Sequence, residues 1–215
     1  MKMSEAKQVF FVGIGGIGIS AIARMFLLQN KKVSGSDLSV SEVTEELKKL
    51  GAHISIGQGI ELIPAGTDLI VYTVAIEEYD PELVKEIQVL GVPSFSYPEV
   101  LHEISKDKYT IAVAGTHGKT TTTAMIAKIL IDAGLNPAVI VGSFLVGHNS
   151  NFIAGTGKYL VVEACEYRRS FLKLEPMIGV ILNIEMTIWI ITATLREFRR
   201  DSPILRDRLN LPGIL

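Results

Sequence analysis

Short apolar runs alternate with stretches of helical periodicity along most of the chain. The first run, Val9-Phe-Phe-Val12, precedes residues 20–30, where Ile22, Met25 and Phe26 fall on one side of a helix. Residues 32–36 read as a second strand. Residues 43–50 read as a helix stopped by Gly51, and 53–56 and 68–73 as strands. Residues 81–90 form a helix with Pro81 in its first turn and Gly91 just past its end. A strand over 92–95 and a short helix over 98–105 follow. The pattern then repeats: strand 109–113, helix 123–134 closed by a C-cap glycine, and strands 159–162 and 177–184. Strands and helices in strict alternation predict an α/β fold of parallel sheets covered on both faces. Ligands of such sheets sit at the carboxyl ends of the strands.

Two glycine-rich turns fall at strand-to-helix junctions. The first is Gly13-Ile-Gly15-Gly16-Ile-Gly18, a G-x-G-x-x-G pattern in a strand–turn–helix setting. Asp37, nineteen residues after Gly18 at the end of the next strand, could bind a ribose hydroxyl. Alone, this points to a nicotinamide or flavin enzyme, or to glycines that merely let helix and strand pack closely. The second is Ala114-Gly115-Thr116-His117-Gly118-Lys119-Thr120-Thr121-Thr122. Strand, Gly-Lys-Thr loop and helix make a phosphate cradle, with backbone N–H groups and the positive helix end facing the nucleotide. Lys119 would reach the β- and γ-phosphates, and the Thr120 hydroxyl would bind Mg²⁺. The full G-x-x-x-x-G-K-[ST] pattern wants glycine where this chain has Val113, so the loop is a compact variant.

Composition narrows the classes. The 215 residues are 48% hydrophobic and 20% charged, enough for one large or two small globular domains. A net charge of −2 gives no electrostatic footprint for nucleic acid. The single cysteine, Cys165, excludes an internal disulfide framework and suits a reducing, cytoplasmic setting. It reads as packed rather than reactive. Residues 1–7 lead directly into a strand, so no secretory leader is expected. Residues 176–195 carry only one charge, Glu185, and are long enough to cross a bilayer. Asn183 and the central Glu185 make a poor span, so a buried strand without membrane insertion is expected. His102, His148, Arg168 and Arg169 read as ordinary polar residues.

Two phosphate-binding turns about a hundred residues apart suggest two different phosphorylated ligands. With Val12-Gly-Ile-Gly-Gly-Ile-Gly18, Gly35-Ser-Asp37, the Gly-Lys-Thr loop, Val162-Glu-Ala-Cys-Glu-Tyr167 and Ile181-Leu-Asn-Ile-Glu185, the chain resembles the Mur ligases of peptidoglycan synthesis. The resemblance covers residues 8–185 and is strongest to the branch that joins L-alanine to UDP-N-acetylmuramate. The branch that recycles murein tripeptide is also similar. The resemblance implies a Rossmann-like UDP-sugar domain over 1–105 and the start of a P-loop ATP domain over 106–185. The charged stretch 103–108 would link them. Gly13, Gly15, Gly16 and Gly18 would admit the diphosphate, and Ser36 and Asp37 would lie near the uridine. Gly115, Thr116, His117, Gly118, Lys119, Thr120 and Thr121 would grip ATP, and Asn183 would lie near the adenine. Glu163 would join Thr120 on magnesium, and Lys119 and Glu163 would carry the chemistry. That chemistry is phosphoryl transfer to the muramate carboxylate, then attack of the alanine amine on the acyl phosphate.

The chain departs from the family after Glu185. Where Mur ligases continue with Asp-His-Leu-Asp, it has Met186-Thr-Ile-Trp-Ile-Ile-Thr192, and the amino-acid-binding C-terminal domain does not follow. Read from the third base of the Met186 codon, codons for this stretch can spell Asp-His-Leu-Asp-Tyr-Tyr. Residues 186–215 are therefore expected to be translated out of frame, and the 215-residue chain to lack ligase activity on its own. Two other functional classes remain open at this stage. One is a non-catalytic nucleotide-binding module. The other is an NAD-dependent oxidoreductase, which leaves the Gly-Lys-Thr loop unexplained.

Overall fold

The computed structural model describes residues 3–145, 150–164, 174 and 176–183. The expectations for Cys165, Arg168, Arg169, His148, Glu185 and residues 186–215 lie outside the described residues. Two five-stranded sheets carry the chain. In the first, β1 (Gln8–Val12), β2 (Lys32–Asp37), β3 (His53–Ile56), β4 (Leu69–Tyr72) and β5 (Ser94–Ser96) run parallel in the order β3-β2-β1-β4-β5. The chain moves outward from β1 to β3, then crosses back to β4. The switch point therefore lies between β1 and β4, beside the first glycine turn.

The second sheet contains β6 (Tyr109–Ala114), β7 (Ala138–Leu145), β8 (Ser150–Ile153), β9 (Tyr159–Glu163) and β10 (Ile178–Ile181), ordered β10-β6-β9-β7-β8. Among the described strands only β8 pairs antiparallel, as the return arm of a hairpin with β7.

Six helices connect and cover these sheets. Helix α1 (Ile17–Leu28) and helix α5 (Tyr97–Lys106) lie between the two sheets. One apolar cluster joins Val9, Phe11 and Leu69 of the first sheet to Ala112, Ile140, Leu160 and Val162 of the second. This position explains the composition of α1. Every residue from Ile19 to Phe26 is buried, so the helix is apolar nearly all round rather than along one stripe. Helices α2 (Glu42–Lys49), α3 (Ile76–Tyr79) and α4 (Pro81–Val89) belong to the first sheet. Ile76, Leu83 and Ile87 fill a separate core against Phe10, Val12 and Ile70. Helix α6 (Lys119–Asp132) packs on the outer face of the second sheet through Ala127 against Val139, Val141 and Val161.

Helix starts follow local chemistry. Asp80 accepts the Leu83 N–H at 3.2 Å, with Pro81 in the first turn of α4. At α5, Glu99 accepts from both the N–H and the hydroxyl of Ser96 in a capping box. The 103–108 linker expectation is corrected here. α5 runs on through Lys106, with Lys106 paired to Glu103, so only Asp107 and Lys108 separate it from β6. That charge run is the solvated end of a helix. The strand expected over 177–184 is also shorter, ending at Ile181. Among the described residues, no helix is long and apolar enough to cross a membrane.

The two sheet units are joined by polar contacts as well as apolar ones. Arg24 of α1 is buried, and its guanidinium donates to Asn151 Oδ1 of β8 at 2.7 Å and to Glu46 Oε2 of α2 at 2.7 Å. Asn151 Nδ2 donates to the Ser20 hydroxyl at 3.0 Å and to the Ile17 carbonyl. Ser20 and Asn151 are fully enclosed. A buried guanidinium is tolerated only when its donors are matched in this way.

Candidate functional site

The second glycine turn is built on β6. Val113, where a longer phosphate loop would have glycine, is fully buried inside that strand, so the loop begins at Gly115 instead. Gly115 has φ +138°, and a β-carbon there would lie 3.1 Å from the Asn183 nitrogen and from Leu182 Cβ. Only glycine takes that backbone and admits so close a neighbour. Gly118, at φ +81°, turns the chain into α6, whose first residue is Lys119.

Asn183 clamps this loop from the end of β10. Its Oδ1 accepts the His117 N–H at 2.9 Å, its Nδ2 donates to the His117 carbonyl at 3.0 Å, and its carbonyl accepts the Thr116 N–H at 3.3 Å. Lys119 Nζ bends back over the loop and donates to the Gly115 carbonyl at 2.6 Å. It therefore stands at the mouth of the cradle. Thr120 Oγ1 donates to Glu163 Oε2 at 2.9 Å, and the Gly142 N–H of β7 donates to the same oxygen at 2.9 Å. β9, adjacent to β6, brings Glu163 level with Val113 in the register. The sheet thus gathers a threonine hydroxyl, a carboxylate and an ammonium at one strand edge. Thr121, on the first turn of α6, follows them on the helix.

The first turn has a different character. The Gly13 and Ile14 N–H groups both donate to the Ser36 carbonyl, at 2.8 and 3.1 Å, and Gly16 N–H donates to the Gly13 carbonyl at 3.1 Å. Gly15 N–H donates to Asp37 Oδ2 at 2.8 Å. The turn's own amides are therefore bonded within the chain. The first intrahelical bond of α1 runs from the Ser20 N–H to the Gly16 carbonyl at 2.9 Å, so the amides of Ile17, Gly18 and Ile19 open the helix. Asp37 ties the end of β2 to the turn, and Ser36 acts here through its backbone carbonyl. Gly18 lies under Tyr97, since a β-carbon there would come within 2.8 Å of that ring. Tyr97 escaped the sequence reading, as did Arg24 and Asn151. Tyr72, at the end of β4, is pushed up to about 12 by burial and then by Glu99 and Glu77.

The two glycine turns thus stand at strand-to-helix junctions, one on each sheet. Family models match both parts of the chain: "Mur ligase family, catalytic domain" over residues 8–109 and "Mur ligase middle domain" over 113–187. The chain belongs to the Mur ligase family. A UDP-N-acetylmuramate–L-alanine ligase from Clostridium kluyveri is 48% identical over 180 residues, covering 83% of this chain and 39% of that protein. A ligase of the same name from Chlorobium phaeovibrioides is 42% identical over 200 residues, covering 93% and 42%. The chain thus spans about two fifths of the length of these curated relatives. The UDP-N-acetylmuramate–alanine ligase of Thermotoga maritima superposes with a TM-score of 0.79 at 31% identity, covering 93% of this chain and 47% of that one. The UDP-N-acetylmuramate:L-alanyl-γ-D-glutamyl-meso-diaminopimelate ligase of Neisseria meningitides gives 0.78 at 27% identity, covering 92% and 69%. The likeness to these two solved ligases extends over 92–93% of the chain.

Proposed function

We propose that this chain is the nucleotide-binding portion of an ATP-dependent UDP-N-acetylmuramate–L-alanine ligase of peptidoglycan synthesis. In this reading the first sheet holds the UDP-sugar and the second holds ATP. The observation that carries it is the convergence of Lys119, Thr120 and Glu163 on one strand edge, in a chain 42–48% identical to ligases of that name. The first-turn amides of α1 would face the sugar nucleotide's diphosphate, beside Gly13, Gly15, Gly16 and Gly18. Ser36 and Asp37 would border the uridine.

The residues present fit a magnesium ion. Two oxygen donors, Thr120 Oγ1 and Glu163 Oε2, meet at 2.9 Å, and a magnesium site commonly takes one or two protein oxygens plus phosphates and water. Among the described residues no cluster of three or more His, Cys, Asp or Glu competes for that role. Bound there, the ion would neutralise charge on the triphosphate. Lys119 would leave the loop carbonyls and bind the β- and γ-phosphates, and the loop amides from Gly115 to Thr121 would hold the remaining oxygens. Asn183 would keep the loop in shape beside the adenine. The muramate carboxylate would attack the γ-phosphorus and release ADP, and the alanine amine would attack the acyl phosphate so formed, displacing phosphate and losing a proton to leave the amide. A carboxylate cannot expel oxide at neutral pH, which is why the reaction consumes ATP.

The chain by itself supplies the two nucleotide sites and is expected to release no ADP in response to L-alanine, UDP-N-acetylmuramate and ATP–Mg²⁺. A coupled ADP assay checks this, and alanine-dependent turnover would contradict it. Competition at the first site separates the ligase reading from a dehydrogenase. UDP is expected to displace UDP-N-acetylmuramate, whereas displacement by NAD would contradict the reading.

A further inference from the structure

Tyr79 ends α3 on the carboxyl rim of the first sheet, with 51% of its surface open. An exposed tyrosine ordinarily swings freely, but this one is tethered. Its hydroxyl donates to Gln58 Oε1 at 3.3 Å, and Gln58 Nε2 donates to Asp80 Oδ2 at 3.1 Å. Asp80 in turn caps α4 through Oδ1, which accepts the Leu83 N–H at 3.2 Å. The anchor runs from a helix start, through an amide, to the tip of an open aromatic ring.

The topology gives that tether its position. Gln58 follows β3 and Tyr79 follows β4, and these strands stand on opposite sides of β1 in the order β3-β2-β1-β4. The Tyr79–Gln58 contact therefore spans the rim at the switch point, where doubly wound sheets bind their ligands. Asp37 faces this group too. Burial, and then the charges of Asp37 and Asp80, hold the Tyr79 hydroxyl above its ordinary range. The same Asp37 carboxylate accepts the Gly15 amide of the first turn. One carboxylate thus bonds the glycine turn and acts by its charge on the tyrosine.

We propose that Tyr79 is the platform on which the heterocyclic base of the bound nucleotide stacks, with Gln58 and Asp80 as positioning residues that fix the plane of the ring. The proposal rests on the nucleotide reading of the first site and adds to it a residue for the base. It also sets what the platform reads. The Gln58 amide holds Tyr79 at its oxygen and Asp80 at its nitrogen, so its part is to place the ring. Stacking accepts any base with a π-face. Tyr79 therefore separates nucleoside diphosphates from bare diphosphates, not uracil from cytosine.

Calorimetric titration of the 215-residue chain with UDP, CDP and inorganic pyrophosphate tests this. Tyr79→Leu is expected to weaken UDP and CDP alike by about tenfold, with pyrophosphate affinity changed less than about twofold. Tyr79→Phe, which keeps the ring but loses the tether, is expected to weaken UDP by about three- to fivefold, less than the leucine variant. Gln58→Ala frees the ring without removing it and is expected to weaken UDP by about three- to fivefold, a check that stands if the leucine variant misfolds. UDP affinity unchanged by Tyr79→Leu and Gln58→Ala, in a chain that binds UDP, would overturn the stacking role alone. A wild-type chain that binds pyrophosphate but not UDP would overturn the nucleotide reading beneath it.

Discussion

Lys119→Ala is expected to weaken ATP–Mg²⁺ binding to this chain by about 100-fold or more while leaving its affinity for UDP-N-acetylmuramate unchanged. Nζ lies at the mouth of the second glycine turn, against the Gly115 and Thr116 carbonyls at 2.6 and 3.4 Å. Those neutral acceptors are what the ammonium would exchange for anionic phosphate oxygens. A hydrogen bond between charged groups contributes about 1.5–3 kcal/mol, and the upper part of that range corresponds to about 100-fold in affinity. The selectivity of the loss matters as much as its size. Lys119 sits on β6–α6 and the proposed UDP site on β1–α1, so a fault confined to one ligand would show that the two edges bind separately. Titrations of both ligands into wild type and variant make the comparison.

Arg24→Ala is expected to destabilise the fold by about 3 kcal/mol, through the loss of a buried charge pair. The side chain is 5% exposed and its partner Glu46 28%, so screening of the carboxylate keeps the value at the low end of the range for buried pairs. Removal would leave the buried Asn151 amide oxygen without its 2.7 Å donor, where an unmatched polar group is costly. For a chain of this size the loss corresponds to a fall of about 6–12 °C in Tm. Thermal denaturation followed by circular dichroism measures it, and an unchanged Tm would mean that the sheet units are held by their apolar cluster alone. Asn151→Ala should give a smaller drop in the same direction, since Arg24 would keep Glu46.

Much of this architecture was legible in the sequence, because buried parallel strands are continuous apolar runs and their helices end in glycine. β3 was read with its observed limits, and β1, β2, β4 and β6 to within one residue at each end. The helical periodicity predicts a start at Thr123, and α6 begins at Lys119. Its threonines have weak helix propensity, and only the sheet edge and the Gly118 turn commit them to the helix. The hairpin of β7 and β8 went unread, although Ala138-Val-Ile-Val141 is an apolar run directly after Pro137.

The glycine turns were legible as motifs, but their internal bonding was not. Nothing in G-x-G-x-x-G reveals that Asp37 accepts from Gly15, or that Gly18 makes room for Tyr97. Those depend on which strands become neighbours. Arg24 did leave a signal, as the sole charged residue in the twelve of α1. A lone charge in an apolar helix marks either a site or a buried partner, and only the position of β8 shows that it is the partner.

The central claim is that one chain carries two independent anion edges, for a uridine diphospho-sugar on the first sheet and for ATP on the second. Calorimetric titration of the chain with UDP-N-acetylmuramate, followed by ATP–Mg²⁺ into the saturated sample, tests it most directly. The account predicts one equivalent of each ligand, with the second binding undiminished by the first. Mutual displacement of the two ligands, or binding of neither, would contradict it.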